Sequence, residues 1–513
     1  MTNNIDIVLL EKFEQEMWKK IPHLEKADGE KIINTTPLLD ITDDFKACTK
    51  KVLNLNFDDK NLQIFGKFDS GLISGSIKVR PALNIIRDAI SKGKIRGGQT
   101  IFEATSGNFG IALGQLSKLG LDVVTLVSRK LQDGVFEELR NEKTRIINLD
   151  MDICPAPGMK ESPNILVAKA TAANIRSQLS ELGFDPEIFD KASSEVQSLL
   201  VSQDIINLVK LLAKIYGGFC PEQYDNEMNV EAHRTVTAPE IDQQLHEKNY
   251  SLEDFGVICT FGTGGTSGGI SRYVSEKYCK IAVHVVFPIA GQDVAGIRTK
   301  AKASGLKFYE PEKYAREHEV DFEKAKHLLK FFVEKGHDIG ESSALALYAT
   351  VQMISTGESG EKFVVIIADG IQKYKKNLEE MSKKQNRVQV SLQEAASNIG
   401  DYDKIIWVHT QYTPREEGIE IIAKSLGVDK SKIIIPKARD VERLLTTQQV
   451  PEDLKELGTG KSLLVCMAGN TSLMAVRALA SKGITTESLN GGISALSQGK
   501  GKQISELIQV ATE

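Results

Sequence analysis

Between about Leu62 and Ile367 short β-branched runs alternate with helical stretches. Gln63–Phe68 reads as a strand and leads to a helix around Leu83–Ser91. Thr100–Phe102 is followed by a helix over Gly110–Leu119 and then by the strand Val123–Val127. Further strands read Gly256–Thr260, Ile281–Val286 and Phe363–Ile367. Such runs are apolar almost throughout rather than alternating, the mark of parallel strands covered on both faces. The pattern predicts an α/β, doubly wound architecture. After a basic polar stretch over Lys373–Arg387 a second α/β pattern starts near Val388, with strands Lys404–Val408, Lys432–Ile435 and Ser462–Val465. Two domains are expected, 1–387 and 388–513, the first opening on a mostly helical segment over about residues 1–60.

Composition bounds the function. The 513 residues exceed one core, and 41% hydrophobic with 26% charged residues is the balance of a water-soluble globular chain. A net charge of -5 without a long basic run argues against nucleic acid as a partner. No apolar stretch reaches the ~20 residues that span a bilayer, so no membrane association is expected. Met1–Asp6 lacks a basic region followed by an apolar one, and no signal peptide is expected. The six cysteines are scattered, without a CxxC pair, which fits a reducing cytoplasm and no metal site.

Three turns carry candidate chemistry. In the first, Ser74-Gly75-Ser76-Ile77-Lys78 sets Lys78 just before a helical pattern starting at Pro81. A lysine there can hold a carbonyl cofactor as a Schiff base if desolvation and cationic neighbours depress its pKa. The second, Thr105-Ser106-Gly107-Asn108, follows a strand and opens a helix, so its backbone N–H groups and hydroxyls suit a carboxylate. The third, Gly262-Thr263-Gly264-Gly265-Thr266, follows the strand ending at Thr260, and consecutive N–H groups in such a loop make a nest for a phosphate. It is not a Walker loop, since no GK[ST] follows. Amine, carboxylate cradle and phosphate cradle together match pyridoxal phosphate with an amino-acid substrate.

The same residues resemble the fold-type II pyridoxal-phosphate enzymes, closest to the cysteine synthase and cystathionine β-synthase branch. Asn34–Leu38 is similar to the family's "GNTPL" opening, Ser74–Ala82 to "GSxKDRPA", Glu103–Leu113 to "EPTSGNTGIAL" and Gly262–Thr266 to "GTGGT". Gln223–Asn229, with His233 and Ala238–Ile241, is similar to a further run in the right order. The resemblance implies two open α/β subdomains with the cofactor between them. It assigns Lys78 to the Schiff base and to proton transfer at Cα. It assigns Gly262, Thr263, Gly264, Gly265 and Thr266 to the phosphate, Asn108 to the cofactor's 3′-oxygen, and Thr105, Ser106, Gly107 and Gln223 to the substrate carboxylate. The chemistry implied is loss of a β-substituent to give an aminoacrylate, then addition of a nucleophile. The chain departs from the family at Val79, usually Asp, at Phe109, usually Thr, and at Gly370, where a Ser usually faces the pyridine nitrogen. Either Asp369 takes over that contact, or the contact is lost. A segment over about Phe184–Tyr216 is inserted relative to compact cysteine synthases.

In the second pattern Cys466 opens the loop Cys466–Ser472 between a strand and the helix Leu473–Leu479, where a helix N-terminus can stabilise a thiolate. This loop and Ser488–Leu496 resemble the "CxxGx[TR]S" and "LxGGIxAW" motifs of a rhodanese domain over about residues 388–500. By that resemblance Cys466 carries a persulfide. Trp407 and His409 replace the usual Asp and Arg of its "IDVR" strand. The fusion implies an enzyme that adds sulfur to an aminoacrylate made from O-acetyl- or O-phosphoserine, with a sulfur donor as second partner and a homodimer as the family's common state. An amine nucleophile, a dehydratase, or a non-catalytic sulfur carrier remain open alternatives.

Overall fold

A computed structural model describes residues 5–25, 31–128, 131–149, 165–357, 360–376, 378, 389–408, 415–437, 440–441, 444, 450, 460–466, 470–480, 484 and 486–492. The chain divides into two compact units, Met1–Leu378 and Glu379–Glu513. In the first unit the strands are β1 (His23–Glu25), β2 (Lys31–Ile33), β3 (Leu38–Asp40), β4 (Gln63–Phe68), β5 (Thr100–Thr105), β6 (Asp122–Ser128), β7 (Arg145–Leu149), β8 (Gly256–Thr260), β9 (Val283–Pro288), β10 (Arg316–Val320) and β11 (Lys362–Ile367). They form a six-stranded sheet in the order β10-β9-β8-β11-β4-β3, a three-stranded sheet β5-β6-β7, and the hairpin β1-β2. Every pairing in the two larger sheets is parallel except β3 with β4.

The strand β11 shows why the large sheet forms. Its residues Phe363 to Ile367 are all at most 4% exposed. Side chains alternate faces along a strand. Phe363, Val365 and Ile367 therefore enter one apolar cluster, and Val364 and Ile366 the opposite one. Burying each such side chain stabilises the fold by about 1.5–3 kcal/mol. On the helix Val79–Ser91 the residues Val79, Ala82, Leu83, Ile86 and Ile90 recur at helical spacing and share one cluster.

One expectation changes. The N-terminal segment is not mostly helical: helices Ile7–Glu16 and Thr42–Leu53 flank the hairpin β1-β2 and the edge strand β3. These strands are only three residues each, too short to show a period, and Leu38 is buried with partners distant in sequence such as Ile241. The insertion near Phe184–Tyr216 folds as helices Pro186–Lys191, Ser193–Val201 and Ile205–Ile215. Phe189, Val196, Leu200, Leu208 and Leu212 pack with Phe102, Val124, Leu126 and Ile147, so the insertion seals one face of the three-stranded sheet. No helix among the described residues is long and apolar enough to cross a membrane.

The second unit is a five-stranded parallel sheet. Its strands are β12 (Gln389–Val390), β13 (Lys404–Trp407), β14 (Ile433–Ile434), β15 (Ser462–Val465) and β16 (Thr486–Leu489), in the order β12-β16-β15-β13-β14. The path leaves β13 to one side, for β14, then crosses back to β15 and β16 on the other. Trp407 is fully buried, and the helix Arg415–Leu426 passes over its ring at Gly418, where a Cβ would come within 2.5 Å. His409 lies outside the described residues.

Candidate active site

The turn carrying Lys78 is pinned to the carboxyl end of β11. Ile77 N–H donates to Ala368 O at 2.7 Å, and Ser76 makes a bridge with Asp369. Gly75 takes a positive φ of 65°, which allows the sharp entry. Lys78 is half-buried. Desolvation, with the Arg298 guanidinium as a second cause, lowers its pKa to about 8. The amine is thereby neutral in a large fraction of molecules at mildly alkaline pH, as a nucleophile for a carbonyl must be.

A buried ion network fixes the helix behind Lys78. Arg80 grips Asp69 through Nε and Nη2 at 2.9 and 2.7 Å and donates from Nη1 to Glu240 Oε2 at 2.6 Å. Lys67 Nζ and the Thr36 N–H reach Glu240 Oε1 at 2.7 and 2.6 Å. The ion-paired side chains are at most 1% exposed. Residues from the Asn34–Leu38, Ser74–Ala82 and Ala238–Ile241 stretches thus meet in one cluster. Val79 and Phe109, two departures from the family pattern, both pack in the apolar cluster beneath the helix.

The turn after β5 is shaped by Thr105 and Gly107. Thr105 Oγ1 accepts the N–H groups of Gly107 and Gly110 at 3.0 and 3.2 Å, so this oxygen organises the turn. Gly107 has φ 128°, and a Cβ there would strike Val135 Cγ1 at 2.3 Å. Gln223 is buried, and its Nε2 donates to Ala104 O at 2.9 Å. Ser106 Oγ lies 3.6 Å from the place of a Cβ on Gly296. Asn108 Nδ2 donates to Asp369 Oδ2 at 2.8 Å, and its Oδ1 accepts from Lys373 Nζ. Asp369 Oδ2 also receives the Tyr374 hydroxyl at 2.6 Å. Burial first, and then the Asp369 charge, push the Tyr374 hydroxyl well above its ordinary pKa.

The glycine loop after β8 runs into the helix Gly265–Tyr278. Gly264 has φ 88°, and a Cβ on it would meet Phe308 O at 2.6 Å, while one on Gly265 would meet Asn229 Oδ1 at 2.1 Å. A Cβ on Gly262 would stand 3.8 Å from Lys78 Nζ, so loop and lysine are neighbours. Thr263 Oγ1 accepts from Asn229 Nδ2 at 2.9 Å. Thr266 Oγ1 lies 3.3 Å from Nε2 of His233, whose Nδ1 lies 3.0 Å from Thr237 Oγ1. His233 is fully buried in a π-helical turn over His233–Thr237. Its burial, followed by the charges of Lys78 and Arg80, lowers its pKa to about 3, so it supports the loop as a neutral imidazole.

Lys78, the glycine loop and the turn at Ser106 converge, because Gly296 O comes within 2.8 Å of a Cβ on Gly262 while its own Cβ would face Ser106. The arrangement fits a phosphorylated carbonyl cofactor: a depressed lysine pKa, and beside it a helix N-terminus whose first N–H groups lack intrahelical partners and where Gly264 and Gly265 leave no room for a Cβ. Supporting residues that motif reading alone left without a role are His233, Arg298, Lys373 and Tyr374. For His233, Arg298 and Lys373 the signal lies in distance, since each acts on a group far along the chain.

In the second unit Cys466 directly follows β15 and is 3% exposed. Its Sγ accepts the Ser472 hydroxyl at 3.3 Å, and Ser472 Oγ lies 2.8 Å from Ser488 Oγ on β16. Cys466 sits at the carboxyl end of a strand beside the crossover point between β13 and β15, where open α/β sheets place ligands. Residues 467–469 of its loop lie outside the described residues.

Fold and lysine site together define a cofactor-dependent α/β enzyme. Residues 49–370 match the family model for pyridoxal-phosphate dependent enzymes, and the chain belongs to that family. It is similar to the cysteine synthase of Staphylococcus aureus, 26% identical over 325 residues that cover 62% of this chain and 89% of the relative. It is also similar to the O-acetylserine dependent cystathionine beta-synthase of Bacillus subtilis, 25% identical over 356 residues that cover 68% and 95%. A hydrogen sulfide-producing enzyme from Fusobacterium nucleatum aligns with a TM-score of 0.48 and 22% identity, over 66% of this chain and 96% of that one.

Proposed function

We propose that the protein catalyses β-replacement on an activated serine, O-acetyl- or O-phosphoserine, with sulfur as the incoming nucleophile. The observation that carries this reading is the amine of Lys78, with its pKa lowered to about 8, next to the glycine loop at Gly262. Pyridoxal phosphate, when bound, supplies a carbonyl for the substrate amine and an electron sink for charge developing at Cα. In this reading the loop Gly262–Thr266 holds the phosphate and Asn108 the 3′-oxygen. The turn Thr105–Gly107, with Gln223, binds the substrate carboxylate. Lys78 holds the cofactor at rest and, once released, removes the α-proton and returns it, a role that needs an amine titrating near the working pH.

Sulfur as nucleophile is supported by the relatives named for cysteine and cystathionine synthesis and by the placement of Cys466. We infer that the second unit is rhodanese-like and that Cys466 carries sulfane sulfur, its Sγ held by the Ser472 hydroxyl. A homodimer in a reducing cytoplasm is the setting proposed.

Absorbance of the purified protein, with and without Lys78→Ala, tests the cofactor site, and a wild type lacking the visible band of lysine-bound cofactor would sink the reading. Mass spectrometry of products from O-acetyl- and O-phosphoserine, offered sulfide against amines, tests the nucleophile. Transfer of sulfur from thiosulfate to cyanide, abolished in Cys466→Ala, tests the second unit.

A further inference from the structure

The segment Ala368–Ile371 follows β11 beside the lysine turn; it contains one carboxylate, Asp369, and meets a second, Asp338. Asp369 is 2% exposed. Its Oδ2 is taken by Asn108 and Tyr374, and its Oδ1 packs against Gly340, where a Cβ would come within 2.0 Å. This carboxylate is buried, with Oδ2 spent on protein donors and Oδ1 left without a hydrogen-bond partner among the described residues. Asp338 approaches the same segment from elsewhere. A Cβ on Gly370 would lie 2.3 Å from each of its two carboxylate oxygens. Oδ1 accepts the Ile371 N–H at 3.0 Å, which anchors the group, while the residue stays exposed. The side chain that residue 370 lacks is thus supplied by residue 338. Neighbouring charges are directed elsewhere: His337 Nε2 lies 2.8 Å from Asp44 Oδ2, and Lys373 reaches Asn108 and Asp369.

We propose that Asp338 is the acidic partner of the cofactor's ring nitrogen, in place of Asp369 and of any side chain at position 370. The assignment rests on the reading of this unit as a pyridoxal-phosphate site. A carboxylate favours the protonated ring, whereas a hydroxyl does not, because an opposite charge stabilises the pyridinium. A protonated ring withdraws electrons more strongly from the reacting carbon.

Nitrogen-15 NMR of the full-length enzyme, reconstituted with pyridoxal phosphate labelled at the ring nitrogen, reads this protonation directly. The wild type is expected to show the protonated-ring shift, Asp338→Asn and Asp338→Ser to lose it at equal cofactor occupancy, and Asp369→Asn to keep it. Serine provides a second, smaller variant should asparagine disturb folding, which circular dichroism checks. An unprotonated ring in the wild type, or a protonated one in a folded Asp338 variant, overturns the assignment. A wild type that binds no pyridoxal phosphate instead overturns the cofactor-site reading, and the assignment falls with it.

Discussion

Asn108 and Asp369 stand 261 residues apart in the chain and are joined by a 2.8 Å hydrogen bond from Nδ2 to Oδ2. The bond links the turn after β5, in the small sheet, to the end of β11, in the large one. It also decides how the Asn108 amide is turned, since the reverse orientation would set its oxygen against a carboxylate and its nitrogen against the Lys373 ammonium. Replacing Asp369 by Leu leaves buried Lys373 without its carboxylate and Asn108 and Tyr374 without their acceptor. Removing one partner of a buried pair costs about 3–5 kcal/mol. Calorimetry is expected to show a marked fall in melting temperature for Asp369→Leu and a smaller one for Asp369→Asn, which keeps an acceptor.

Reactivity of Lys78 follows its protonation. Condensation of the apoenzyme with pyridoxal phosphate should accelerate as pH rises, with a midpoint near the lowered pKa of about 8. Arg298→Met removes a cation that depresses this pKa, so the midpoint moves to higher pH. Stopped-flow absorbance across pH 6–10 measures both. The unfolded chain binds the more protons between about 8 and the ordinary lysine value of 10.5, so this group's contribution to stability rises with pH over that window.

His233 predicts the acid limb. Its pKa is lowered from 6.5 to about 3, so between those values the unfolded state takes up a proton that the folded state refuses. Stability therefore falls as pH drops through this range. In His233→Gln that loss is expected to diminish, read as a flatter melting temperature between pH 6 and 4 than in the wild type.

Gly107 tests the turn after β5. Alanine there meets both a φ of 128° and Val135 at 2.3 Å. Backbone strain of this kind costs about 1–3 kcal/mol. Gly107→Ala is expected to lower the melting temperature and to weaken substrate more than cofactor, seen as a raised KM at unchanged cofactor stoichiometry.

Wherever a signal is local, sequence reading reaches the structure. The runs at Gln63–Phe68, Gly256–Thr260 and Phe363–Ile367 are strands because burial on both faces demands continuous apolar residues. The turns at Lys78, Gly107 and Gly264 are legible because small residues are needed where backbone bends or comes close. The strand β10 escaped notice because its sequence, Arg-Glu-His-Glu-Val, is that of an edge with one side in water. Departures at Val79 and Phe109 read as chemistry along the chain but are packing in space.

Local patterns therefore decided the continuous apolar strands and the order of the cradles, since each depends on residues a few positions apart. Tertiary structure alone decided which groups meet across the chain. Arg298 lowers its pKa from 220 positions away (78 to 298), Asp369 is tied to Asn108 and Tyr374, and Asp338 fills the space at Gly370. Electrostatic and steric effects act through distance in space, and only folding brings these groups within a few ångströms of one another.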